Sequence, residues 1–215
     1  MLYYQNKRYF VTQATSAATE LDSDKRALQV AIIDDNEVPY IETLRNNGFN
    51  ITHHLDIDNF EMMKTYSIII CDIKGVGKKF GSDKEGAHII REIRRLYPDK
   101  YLIAMSSDVY NIRWVKLLDD ADDKIIRDAD VDQVIDALSI AVGIMRCNKE
   151  RWLRVRDYLI KSHKMDLFEV WKIEQKFIKS VVSKDRSIFE KSKVVTHRDD
   201  IIKGLLVNFI SGLIL

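Results

Sequence analysis

From Leu28 onward, short apolar runs alternate with segments of helical period. LQVAII (28–33) ends in Asp34-Asp35, a helical stretch runs to Asn46-Asn47-Gly48, and FNITHH (49–54) reads as a second strand. YSIIICD (66–72) is a β-branched run closed by an acid, the pattern of a strand buried on both faces. A Gly/Lys-rich loop follows, then a helix through AHIIREIRRLYP that Pro98 stops, a fourth strand YLIAMSS, a helix near Ile112–Leu118, and a short strand KIIR at 124–127. Five strands alternating with helices predict a doubly wound α/β domain: a parallel sheet covered on both faces, with its site outside the carboxyl ends of the strands.

The pattern changes after a helix starting near Asp130. Leu167, Val170, Trp171, Phe177, Ile178, Val181 and Val182 fall at helical spacing. Ile201, Ile202, Leu205, Leu206, Phe209, Ile210, Leu213 and Ile214 form a second stripe, with Thr196 and Asp199 as a capping-box-like start. Residues 1–27 lack periodicity. The chain therefore divides into an N-terminal extension (1–27), an α/β domain (28–145) and an α-helical C-terminal module (146–215).

Composition narrows the class. Apolar residues make up 46% of the chain against only 8 Gly and 2 Pro, which excludes collagenous, low-complexity and all-β architectures. No apolar run reaches the roughly 20 residues of a membrane span, and MLYYQNKRYF has no signal-peptide core, so the expected location is the cytoplasm. Cys71 and Cys147 have neither disulfide-framework nor zinc spacing, and Cys71 reads as a core residue. Net charge is only +1, but residues 28–145 carry 14 basic and 21 acidic side chains whereas 146–215 carry 16 and 9. An acidic domain precedes a basic one, so the two attract each other or serve separate roles.

The chemistry lies where the acids fall. Asp34 and Asp35 end the first strand and Asp72 the third, and those strands are neighbours in a doubly wound sheet. Three converging carboxylates repel one another and favour a hard divalent cation such as Mg2+. Ser106-Ser107 at the end of the fourth strand adds a hydroxyl, and Lys124 and Arg127 on the fifth bring cations. Together these groups suit formation of an aspartyl phosphate: carboxylate nucleophile, metal and cation on the phosphoryl oxygens, hydroxyl as sensor.

In that order and spacing, IIDDNE, IIICD, LIAMSS and ADDKIIR resemble the receiver domain of two-component response regulators, over residues 28–145. The resemblance implies a flavodoxin-like five-stranded fold, with Asp72 as phosphoacceptor and Ser106 as the switch hydroxyl. It also implies Mg2+ held by Asp34, Asp35, Asp72 and the backbone carbonyl of Lys74, and a histidine kinase or phosphotransfer protein as donor. Two departures stand out. The family's cation is a Lys usually followed by Pro, whereas the best register here gives Arg127 followed by Asp128, with Lys124 where a switch aromatic often sits. The loop IKGVGKKFGSDKEG is longer than usual, and Gly75, Gly77 and Gly81 with Lys74, Lys78, Lys79 and Lys84 suggest a mobile cationic flap, with a solvated surface excursion as the alternative; it lacks Walker A spacing.

The expected function is a phosphorelay switch, not an enzyme with a diffusible substrate, in which phosphorylation of Asp72 changes the contacts of the C-terminal module. Alternatives are a phosphorylation-independent pseudo-receiver serving as a docking or dimerisation scaffold, a DNA-binding regulator, and an acid-rich phosphohydrolase. For the basic tail, a solvated helical face, a nucleic-acid surface using Lys161, Lys164, Lys172, Lys176 and Lys179, a self-association helix and a membrane-surface helix all remain open.

Overall fold

The computed structural model describes residues 25–107 and 119–213. Strands β1 (Gln29–Ile33), β2 (Asn50–His54), β3 (Ile68–Asp72), β4 (Tyr101–Ser106) and β5 (Asp123–Ile126) form one parallel sheet in the order β2-β1-β3-β4-β5. This is the doubly wound α/β fold that the strand pattern predicts, in the flavodoxin-like form that the resemblance implies. Every residue of β3 and β4 is buried, which explains their unbroken apolar runs.

Alternation along the strands fills two cores. Val30, Ile32, Ile68, Ile70, Ile103 and Met105 face helices α1 (Ile41–Asn46) and α3 (Val131–Arg146) through Leu44, Val134 and Leu138. Ala31, Ile33, Ile69, Cys71, Leu102 and Ala104 face α2 (Glu85–Leu96) through Ala87, Ile90 and Ile93. Burial raises the Cys71 thiol well above its ordinary pKa, so it is a neutral core group. The helix expected near Ile112–Leu118 lies outside the described residues.

The chain after α3 is helical: α4 (Asn148–Lys161), α5 (Leu167–Ser183), the short α6 (Ser187–Glu190) and α7 (Lys193–Thr196), and α8 (Asp200–Ser211). They enclose a third core in which Trp152 stacks on Phe177 with ring centroids 5.1 Å apart, beside Phe189 and Phe209. The apolar stripes are wider than this core, because Leu167, Val182 and Ile201 lie at their edges and are exposed. The expected capping box is corrected. Asp199 alone caps α8, accepting from the Ile202 amide at 3.0 Å, because Thr196 ends α7 and its hydroxyl donates to the Ser192 carbonyl.

Only Cys147 separates α3 from α4. The helical part rests against the starts of β4 and β5, where arginines grip the loop ahead of β4. Arg151 pairs with Asp99, both side chains nearly inaccessible, and donates to the Gly212 carbonyl at 2.8 Å. Arg154 reaches the carbonyls of Asp99 and Lys100 and the Asp122 carboxylate, which Arg94 of α2 also holds. Among the described residues, no helix is long and apolar enough to cross a membrane.

Candidate functional site

The strand order reverses between β1 and β3, and the crevice at their carboxyl ends holds the acids. Asp72 is the last residue of β3 and Asp34 follows β1; both are buried, whereas Asp35 is turned toward solvent. Ligand-capable oxygens of Asp34, Asp35 and Asp72 lie within 4.8 Å of one another. Gly86, in the first turn of α2, makes this proximity to the helix feasible, since a Cβ there would collide with the Asp72 carbonyl oxygen.

Arg127 is the counterion. It follows β5, its amide donating to the Ser106 carbonyl at 3.0 Å, and its guanidinium forks across two acids: Nη1 lies 2.6 Å from Asp72 Oδ2 and Nη2 bonds Asp34 Oδ1. Burial raises the Asp72 pKa and the Asp34 charge adds to this. Arg127 and the backbone amides of Lys74 and Ile73 oppose them. For Arg127, burial works against the charge, but Asp72 and Asp34 outweigh it and hold the guanidinium more firmly protonated. Asn36 ties the acids together, its amide donating to Asp34 Oδ1 at 2.9 Å and its side chain to Asp35 Oδ1 at 2.8 Å. His53, on the β2 side, donates through Nε2 to the Asp34 carbonyl.

The long loop is strapped down, which corrects the expectation of a mobile flap. The Gly75 amide donates to Glu85 Oε2 and the Gly77 amide to Asp56 Oδ1, each at 2.7 Å. Lys79 pairs with Asp58, and Phe80 stacks on Phe60 at 4.5 Å. Gly75 has φ 84°, and a Cβ there would fall on the Asp35 carboxylate, so the strap passes directly over that acid. Lys78 reaches back from it, its Nζ 3.4 Å from Asp35 Oδ2.

Of the residues singled out in the sequence, the fold gathers Asp34, Asp35, Asp72 and Arg127. Ser106 is buried at the end of β4, next to Met105, which pairs with Asp72. The structure does not bring Lys124 to the acids. It pairs with Ala104, so strand alternation places it on the sheet face opposite to Ile125 and Met105, and no hydrogen bond or ion pair joins its ammonium to the cluster among the described residues. Sequence reading missed Lys78 as a partner of Asp35, and missed the cleft of about 360 Å³ between Tyr40, Met105 and Arg127. Only the count of lysines in the loop signalled the first; nothing local signalled the second, whose walls come from three separate loops and strands.

The donor set fits Mg2+: three hard carboxylates on one side of a sheet end, already needing positive charge. Comparison with solved structures adds the following. A CheY-like response regulator receiver domain protein from Methanospirillum hungatei JF-1 is similar at 15% identity and TM-score 0.46, covering 55% of this chain and 95% of that one. Many of the solved structures that this chain resembles are response-regulator receiver domains. They include the signal receiver domain of an HD domain-containing protein from Pseudomonas fluorescens Pf-5, at 14% identity and TM-score 0.49, covering 64% of this chain and 98% of that one. A Thermotoga maritima response regulator solved in complex with Mg2+-BeF is similar at 20% identity and TM-score 0.42, covering 53% and 98%. At these identities the likeness is one of fold. No family model matches the chain, and no curated protein does.

Proposed function

We propose that residues 28–145 act as a phosphorelay-type switch with Asp72 as the phosphoacceptor. The observation that carries this reading is the buried Asp72 carboxylate at the strand switch point, with oxygens of two further acids within 4.8 Å and the Arg127 guanidinium paired to it. A carboxylate oxygen of Asp72 attacks the phosphorus of a phosphohistidine on a kinase or phosphotransfer protein. The new P–O bond makes an acyl phosphate while the P–N bond breaks, its electron pair leaving with the imidazole, which takes a proton from solvent. Asp34, Asp35, Asp72 and the Lys74 carbonyl would hold Mg2+, which supplies charge neutralisation at the phosphoryl oxygens when bound. Arg127 keeps Asp72 ionised beforehand and follows the charge onto the phosphoryl group afterwards. Ser106, one residue from the partner of Asp72 in the ladder, senses the product. The protein accelerates formation of its own acyl phosphate and turns over no diffusible substrate.

Incubation with Mg2+ and acetyl phosphate, followed by intact mass measurement in acid, tests this. Wild type is expected to gain one phosphate and Asp72→Asn none; no gain in either, with a phosphohistidine donor also failing, overturns it. A second reading has support from one feature: Arg127 already bridges Asp34 and Asp72 through one guanidinium, as befits a phosphorylation-independent docking scaffold. That reading predicts partner binding unchanged by Asp72→Asn.

A further inference from the structure

All three acids of the cluster already carry a cationic partner from this chain, and the partners differ in kind. Arg127 is held by two buried carboxylates, whereas the Lys78 side chain is 69% exposed and, among the described residues, pairs with the outer acid, Asp35. Its backbone is fixed by the left-handed Gly77 before it, the 3-10 turn Lys78–Phe80, the left-handed Gly81 after it and the Phe80–Phe60 stack. A fixed anchor with a free four-carbon stem lets the ammonium trade one oxygen for another nearby without moving the strap.

We propose that Lys78 is a second phosphoryl-binding cation, which holds Asp35 in the metal-free protein and passes to a phosphoryl oxygen when a divalent cation takes Asp35. The inference rests on the phosphoacceptor reading above. Charge balance favours it. With Asp72 phosphorylated, Asp34, Asp35 and a dianionic phosphoryl group carry about four negative charges, and a divalent cation, Arg127 and Lys78 carry four positive ones. Arg127 alone leaves the loaded site with an uncompensated negative charge in a crevice where Asp34 and Asp72 are buried. The exchange forms and breaks no covalent bond; Lys78 remains an ammonium throughout.

Titration calorimetry on wild type, Lys78→Gln and Lys78→Arg separates the two halves of the exchange, using Mg2+ alone and then BeF3− in saturating Mg2+ as the phosphoryl mimic. Lys78→Gln is expected to bind Mg2+ alone about two- to fivefold more tightly, the worth of an exposed ion pair removed as competitor. It is expected to bind BeF3− about tenfold more weakly, a loss that a merely structural role for the strap would not pair with a gain in Mg2+ affinity. Lys78→Arg is expected to keep both affinities within about twofold of wild type. Unchanged BeF3− affinity in Lys78→Gln overturns the inference, as does weakened BeF3− binding without tighter Mg2+ binding, and so does an arginine variant that behaves like glutamine. If wild type itself takes no BeF3−, the phosphoacceptor reading falls and this one with it. If wild type binds and Lys78→Gln matches it, only this inference falls.

Discussion

The two ends of the sheet are held by arginine–aspartate clusters of opposite character. At the amino-terminal end, Arg151 and Asp99 are both sealed, and Arg94 and Arg154 share Asp122, so three guanidinium groups meet two acids, and backbone carbonyls take further N–H donors. At the carboxyl end one guanidinium faces two buried acids, and the third acid has a solvent-exposed lysine as its cation among the described residues. The first cluster has no shortage of positive charge and joins the helical part to the sheet. The second is short of positive charge, which suits it to the divalent cation proposed above. The same residue types thus fasten the chain where guanidinium groups outnumber carboxylates, and leave a deficit of positive charge where carboxylates outnumber them.

Removing one partner from the amino-terminal cluster gives the largest effect. Arg151→Ala leaves the Asp99 carboxylate buried without its cation and is expected to cost about 3–5 kcal/mol in urea denaturation. Hydrogen exchange should rise first at α4 and α8 rather than in β3, and early loss of the sheet instead would deny that this cluster fastens the helical part.

Lys100 sharpens the comparison through pH. Burial lowers its pKa to about 8 from 10.5, and its ammonium donates to the Lys64 and Tyr66 carbonyls. Because the folded value lies below the unfolded one, the penalty is full below pH 8 and is lifted as pH rises toward 10.5. Wild type should therefore gain about 3 kcal/mol relative to Lys100→Met between pH 8 and 10.5. A pH-independent difference would mean that the amine is neutral already.

At the carboxyl end the effects on stability are smaller. Gly75→Ala places a Cβ on the Asp35 carboxylate at a positive φ, and is expected to cost about 1–3 kcal/mol in thermal unfolding while weakening Mg2+ binding. Lys124→Ala should change stability by less than about 0.5 kcal/mol and leave acetyl-phosphate labelling intact, since it stands on the other face of β5. Loss of labelling in that variant would return Lys124 to the site.

Much of the carboxyl end was legible because strands advertise themselves. The runs before Asp34 and Asp72 are apolar and β-branched, their order fixes their adjacency, and the acids then fall together. Lys124 shows the limit: a four-residue strand in which only Ile125 is buried has too little patterning to reveal which face each side chain takes. The strap was read as mobile because glycines and lysines signal solvent, while its anchors, Asp56, Asp58 and Glu85, are remote in sequence or belong to the next helix. The fastening at the amino-terminal end went unread although Arg151 and Arg154 sit one turn apart on α4, because their partners become visible only once the loop before β4 is in place.

The single-residue joint at Cys147 makes the helical part sensitive to chain length rather than to side-chain identity. Each residue added to or taken from a helix turns everything beyond it by about 100° and shifts it by about 1.5 Å. One inserted residue ahead of Arg151 would swing the guanidinium away from Asp99, and one deleted residue would do the same in the opposite sense. Sequences sharing this arrangement should therefore show free exchange of letters at the joint but an almost invariant spacing between the end of α3 and the arginine pair, as gears tolerate a change of metal but not of tooth count.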